Sequence, residues 1–135
     1  MSHLLDTNSW INYLRRGAAS NVTARLTAAP KGSVYFCSVV LGELIYGVLH
    51  GDPVRQVANM LSIERLRRDF ASLTFDDTAA ELYAENRQHL NAHGTPIGSN
   101  DLMIASIALA NHLILVTHNT REFSRVPGLQ LDDWQ

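Results

Sequence analysis

From Ser99 to Val116 the chain reads Ser-Asn-Asp-Leu-Met-Ile-Ala-Ser-Ile-Ala-Leu-Ala-Asn-His-Leu-Ile-Leu-Val, and no other stretch limits the fold as much. Pro96 and Gly98 break the chain before it, and Ser99 and Asn100 are residue types suited to capping a helix N-terminus. Between Leu102 and Ala110 nearly every face is apolar, so the helix must be covered all round by a sheet or by other helices. Leu113-Ile114-Leu115-Val116 then has the unbroken apolar pattern of an interior parallel strand, ending at Thr117-His118-Asn119. The only charge in the helix is Asp101. Taken alone, a carboxylate in a first turn is explained by the helix dipole, worth about 0.3–1 kcal/mol.

Other segments repeat the theme. His3-Leu4-Leu5 reads as a short buried strand, followed by Asp6-Thr7-Asn8 and a helix carrying Trp10, Ile11, Tyr13 and Leu14 to Gly17. A second helix spans Val22 to Ala29. Ser33 to Cys37 is β-rich, Ser38 is placed to cap the next helix, and Val40, Leu41, Leu44, Ile45 and Val48 form that helix's apolar face, away from Glu43. After Gly51-Asp52-Pro53, a helix from Val54 to about Phe70 is expected to turn Val57, Met60, Leu61 and Leu66 inward. Leu73-Thr74-Phe75 reads as a strand, Asp76-Asp77-Thr78 opens a helix to His93, and a short edge strand is expected before Trp134. Strands alternating with helices predict an α/β domain with a mainly parallel sheet, one domain over residues 1–135.

Composition narrows the function. The formal charge is −2, so no overall basic field advertises nucleic acid, and any such contact must be local. Of the eleven basic residues only Lys31 is a lysine. The one cysteine, Cys37, can form no internal disulfide and fits a reducing compartment. Neither a signal peptide nor a bilayer-length apolar run is visible, which predicts a cytoplasmic protein with no membrane partner.

The sequence offers three isolated acids where strands give way to helices: Asp6 after the first strand, Glu43 beyond the second, and Asp101 opening the apolar helix. In open parallel sheets ligands bind outside the carboxyl ends of the strands, so the three can converge there. Two carboxylates 4 Å apart repel by about 4 kcal/mol at an effective dielectric near 20, and such a cluster calls for a proton or a cation. Oxygen donors without Cys or His favour Mg²⁺ or Mn²⁺ over zinc. Each acid alone also has an ordinary role as a cap or a solvated helix residue; the case rests on the set.

Together Leu5-Asp6-Thr7-Asn8, Val40-Leu41-Gly42-Glu43-Leu44, Ile97 to Ala105, Val116-Thr117-His118-Asn119-Thr120-Arg121-Glu122-Phe123 and Asp133-Trp134 resemble the PIN-domain ribonucleases, specifically the VapC toxins. The resemblance spans almost the whole chain. It implies a three-layer α/β/α sandwich, a homodimer, and an endoribonuclease dependent on Mg²⁺ (Mn²⁺ substituting) and silenced by a VapB-type antitoxin that itself contacts operator DNA. It carries the acidic residues onto Asp6, Glu43 and Asp101, and supporting polar roles onto Asn8, Thr117 and Asn119. Many PIN domains have a fourth acid where this chain has Asn119, a departure that bears on a second metal; Glu122 is close in sequence but is given no role. Hydrolysis by activated water would leave 5′-phosphate and 3′-hydroxyl ends. The RNA target is not legible, though the Gly98-Ser99-Asn100-Asp101 motif points at family level to a structured RNA such as initiator tRNA. Arg15, Arg16, Arg65, Arg67 and Arg68 are candidates for backbone contacts and Trp10 or Tyr13 for base stacking. The dipole and solvation account better for Arg15-Arg16 at a helix C-terminus, and Trp10, at helical spacing from Tyr13 and Leu14, reads first as core. His118 is the histidine nearest the site, a position that also suits a plain loop histidine.

Other readings fit less well. A haloacid-dehalogenase-type phosphatase wants an Asp at position 8, where this chain has Asn8, and a receiver domain wants a lysine after a late strand. A PIN-like module that holds RNA or a partner without cutting is the remaining alternative.

Overall fold

The computed structural model describes residues 1–135. In chain order the elements are β1 (His3–Leu5), α1 (Thr7–Arg16), a 3-10 turn (Gly17–Ala19), α2 (Asn21–Ala28), β2 (Val34–Cys37), α3 (Ser38–His50), a second 3-10 turn (Pro53–Arg55), α4 (Gln56–Asp69), β3 (Ala71–Leu73), α5 (Asp77–Ala92), α6 (Ser99–Ala110), β4 (Ile114–Val116), α7 (Thr120–Phe123) and β5 (Leu131–Asp132). The five strands form one sheet in the order β3-β2-β1-β4-β5, and every pairing is parallel. From β1 the sheet grows one way through β2 and β3, and the other way through β4 and β5. With right-handed crossovers this reversal puts helices on both faces, the α/β/α arrangement. It also makes the β1/β4 boundary a topological switch point, where the carboxyl ends of adjacent strands open a crevice.

The α6–β4 stretch behaves as its composition dictates. Leu102, Ile104, Ala105, Ser106, Ile107 and Ala108 are all buried, and Ser106 returns its hydroxyl to Leu102 O at 2.7 Å. β4 pairs with β1 through His3–Ile114, Leu4–Leu115 and Leu5–Val116. Trp10 is fully enclosed beside Phe36, Phe70 and Tyr13, so it belongs to the core and cannot stack on a base. None of the helices is long and apolar enough to cross a membrane.

Four local expectations are corrected. Ser38 is the first residue of α3 rather than its cap, and the cap position falls on Cys37. Gly98, not Ser99 or Asn100, caps α6, which leaves the Asn100 amide free for the site. β3 lies two residues earlier than expected, because Ala71, Ser72 and Leu73 align with Tyr35, Phe36 and Cys37, while Phe75 turns to pack edge-on against Tyr83. In α4 the inward residues are Ile63 and Leu66, with Met60 partly buried; Val57 and Leu61 are exposed. With Val54 those two occupy a second apolar stripe at i, i+3 and i+7, which periodicity alone does not tell from the inner one.

Candidate active site

Asp6 sits where β1 ends. Its backbone N–H donates to Val116 O at 3.0 Å, locking it to β4, and its Oδ1 accepts from the backbone N–H of Ser9 at 2.9 Å, capping α1. The Ser9 hydroxyl closes the other side on Val116 O at 3.3 Å. The side chain is therefore both cap and candidate ligand: a buried carboxylate at 5 % exposure, aimed by backbone alone.

Glu43 faces it from the second turn of α3. The Thr7 hydroxyl donates to Oε1, and Asn100 Nδ2 donates to Oε2 at 3.4 Å. One residue from the first turn of α1 and one from the first turn of α6 thus hold the carboxylate of α3. Asp101 is next to Asn100 in that first turn of α6. Burial pushes its carboxyl up to about 6, and the charges of Glu122, Glu43 and Asp6 push the same way, in that order. Asp6 and Glu43 therefore lie close enough to Asp101 for their charges to act on it, and a fourth acid joins them.

That fourth acid is Glu122, on α7. Asn119 Nδ2 donates to Glu122 Oε2 at 2.8 Å, so the amide that stands where many relatives carry an acid serves instead to steer one. Sequence reasoning passed over Glu122. The signal was its spacing: three residues beyond the helix-capping Asn119, a side chain in a first turn reaches back to the cap. Thr117 is fully buried; its N–H donates to Asp132 O at 2.9 Å and its Oγ1 accepts from the Asn119 N–H at 3.0 Å, which shapes the bend after β4. Asn8 is exposed and lines two adjoining cavities, one of about 520 Å³ with Asp6 and one of about 710 Å³ with Thr7, Glu43 and Asn100.

None of the four acids forms an ion pair, while Arg67 and Arg68 are engaged with Glu64 and Asp69 at the surface. No three acidic, histidine or cysteine side chains form a ready coordination shell; Glu43 and Glu122 each accept a hydrogen bond from an uncharged side chain. The donor chemistry nonetheless suits a hard divalent cation: the four acids offer carboxylate oxygens, with no thiolate among them, and burial followed by the neighbouring carboxylates raises the proton affinity of Asp101.

Known proteins resemble this chain over nearly its whole length. The PIN domain family model matches residues 3–129. Ribonuclease VapC2 of Rickettsia felis is 34% identical over 134 residues, covering 99% of this chain and 98% of the relative. The tRNA(fMet)-specific endonuclease VapC of Shigella flexneri is 37% identical with the same coverage. Among solved structures, VapBC2 of Rickettsia felis bound to a DNA fragment from its promoter superposes with a TM-score of 0.91 at 31% identity, covering 100% of both chains.

Proposed function

This chain belongs to the PIN-domain family, in its VapC branch, and from that premise we propose that it is the toxin of a toxin–antitoxin pair, an endoribonuclease that uses Mg²⁺ or Mn²⁺. The observation that carries the reading is the group formed by Asp6, Glu43, Asp101 and Glu122 at the carboxyl end of the sheet, none of them in an ion pair, with the Asp101 carboxyl raised to about 6 first by burial and then by the other three charges. Asp6, Glu43 and Asp101 would hold the ion. When bound, it supplies a polarised water for attack on phosphorus and neutralises charge on the phosphoryl oxygens. The protein's own work is positional: Ser9 aims Asp6, Thr7 and Asn100 aim Glu43, and Asn119 aims Glu122. Asp101, in the first turn of α6 beside Asn100, would share in orienting that water.

The partner is a VapB-type antitoxin, as in the complexes this fold resembles, and operator DNA is reached through that antitoxin. A homodimer is the expected form of the toxin. A tRNA is the favoured substrate, given the Shigella relative's specificity. A silent binding module loses its main support, because Glu122 supplies a charge beside Asn119.

The test is cleavage of total RNA by the antitoxin-free chain in Mg²⁺ or Mn²⁺, with EDTA and Asp101→Asn as controls. Cutting abolished by both controls, with 5′-phosphate and 3′-hydroxyl ends, is the expected result. A 2′,3′-cyclic phosphate would overturn the hydrolytic route.

A further inference from the structure

The acids account for the chemistry but leave one wall of the Asp6 cavity unused. That wall carries Arg15, Arg16 and His118, lining the same space of about 520 Å³ as Asp6, Asn8 and Asn119. Neither arginine has a carboxylate within ion-pair reach. His118 is different: its Nδ1 lies 2.9 Å from Asp133 Oδ2, while Asp133 Oδ1 accepts the Gln135 N–H at 2.9 Å. The carboxylate is anchored on one oxygen and fixes the imidazole with the other.

The chemistry of that pair has a consequence. A carboxylate can only accept, so Nδ1 carries the hydrogen, and in the neutral ring Nε2 is left as a bare acceptor. A bare acceptor does not suit a phosphate oxygen; it suits a hydroxyl. Beside two guanidinium groups able to take phosphates, the hydroxyl that distinguishes RNA from DNA is the ribose 2′-OH.

We propose that His118, oriented by Asp133, accepts a hydrogen bond from a ribose 2′-hydroxyl of the bound strand, while Arg15 and Arg16 hold the neighbouring phosphates. The pair thereby selects RNA over DNA at a site beside the cutting centre. The inference rests on the nuclease reading for its substrate class, but it concerns binding and not bond cleavage. In it His118 is the contact residue and Asp133 the positioning residue.

The experiment uses the full chain freed of antitoxin, with Asp101→Asn to stop cutting. The probes are a fluorescein-labelled single-stranded 12-mer RNA of mixed sequence and its DNA counterpart, read by anisotropy. The parent is expected to bind RNA more tightly than DNA. Adding His118→Ala lowers RNA affinity about fivefold, the size of one neutral hydrogen bond, and leaves DNA affinity within about twofold, so the preference collapses. Asp133→Asn, which no longer dictates the tautomer, moves the ratio the same way. Arg16→Ala weakens both probes alike and lowers the salt slope by about 0.7, as for one single-strand phosphate. His118→Ala weakening RNA and DNA equally, or neither, overturns the proposal, as does a parent that binds neither probe. A wild-type chain that cuts no RNA while His118→Ala still erases the preference would sink the nuclease reading and leave this one standing.

Discussion

Asn119 and Glu122 meet through a 2.8 Å hydrogen bond from the amide to Oε2, so a neutral side chain keeps a carboxylate beside Asp101. Asn119→Asp turns that contact into a repulsion between two partly solvated acids. Without divalent ions, the variant is expected to lose about 0.5–1 kcal/mol. With Mg²⁺ added it gains more than the wild type does, because the extra charge favours the ion. Thermal melts with EDTA and with Mg²⁺ measure both shifts. Identical melting of variant and wild type under both conditions would show that the 119 side chain does not face the acidic group.

Asp6 has two roles that substitution separates. Asn caps a helix as well as Asp does, so Asp6→Asn retains the bond from Ser9 and melts near the wild-type temperature. Asp6→Ala loses the cap and leaves a buried N–H without a partner, costing about 1–3 kcal/mol. Both variants should lose at least about 100-fold in cleavage rate, since a direct ligand is worth no less than the 10–100-fold of its supporting partners. Activity that survives in Asp6→Asn and is lost only in Asp6→Ala would reduce Asp6 to a structural cap.

Thr7 is tied to Glu43 across 36 residues of sequence, and only its hydroxyl makes the bond. Thr7→Val keeps the shape and removes the donor. About a tenfold loss in cleavage is expected, with little change in melting temperature, and Thr7→Ser should recover most of it. Assaying the pair side by side separates orientation of Glu43 from packing: a serine variant as poor as the valine one would assign the effect to the lost methyl group.

The parts legible in the sequence are those whose physics is local or whose burial is complete. The α6–β4 run has no polar face to misread, and Asp6, Glu43 and Asp101 stand out as single charges at the ends of apolar segments. Where two answers satisfy the same local rule, sequence is blind. The apolar stripes of α4 have the same period, and only the position of β3 and α3 decides that Ile63 and Leu66 go inside while Val57 and Leu61 face water. Ser99 and Asn100 are good caps, yet the cap position falls on Gly98 and Asn100 turns its amide to Glu43, a partner far away in sequence. Glu122 is legible only in part: its spacing from Asn119 predicts a side chain that reaches back to the cap, but its effect on Asp101 comes from a segment distant in sequence.

Asp101 gives the pH dependence its sign. Its carboxyl titrates at about 6 in the folded chain against an ordinary value of 3.8, first through burial and then through Glu122, Glu43 and Asp6. A group that binds its proton more tightly when folded favours the native state at low pH. Its contribution is greatest below about pH 4, falls as pH rises towards 6, and is flat above. Asp101→Asn, neutral throughout, should match the wild type at acid pH and exceed it at pH 7.5. The group is only half enclosed, so the difference is discounted to about 1–2 kcal/mol, roughly 3–6 °C in a domain of this size. Mg²⁺ at pH 7.5 should close that gap by stabilising the wild type alone. Melting curves of the two proteins from pH 4.5 to 7.5 are decisive: a constant offset between them would mean that Asp101 ionises freely and that the acids do not crowd it.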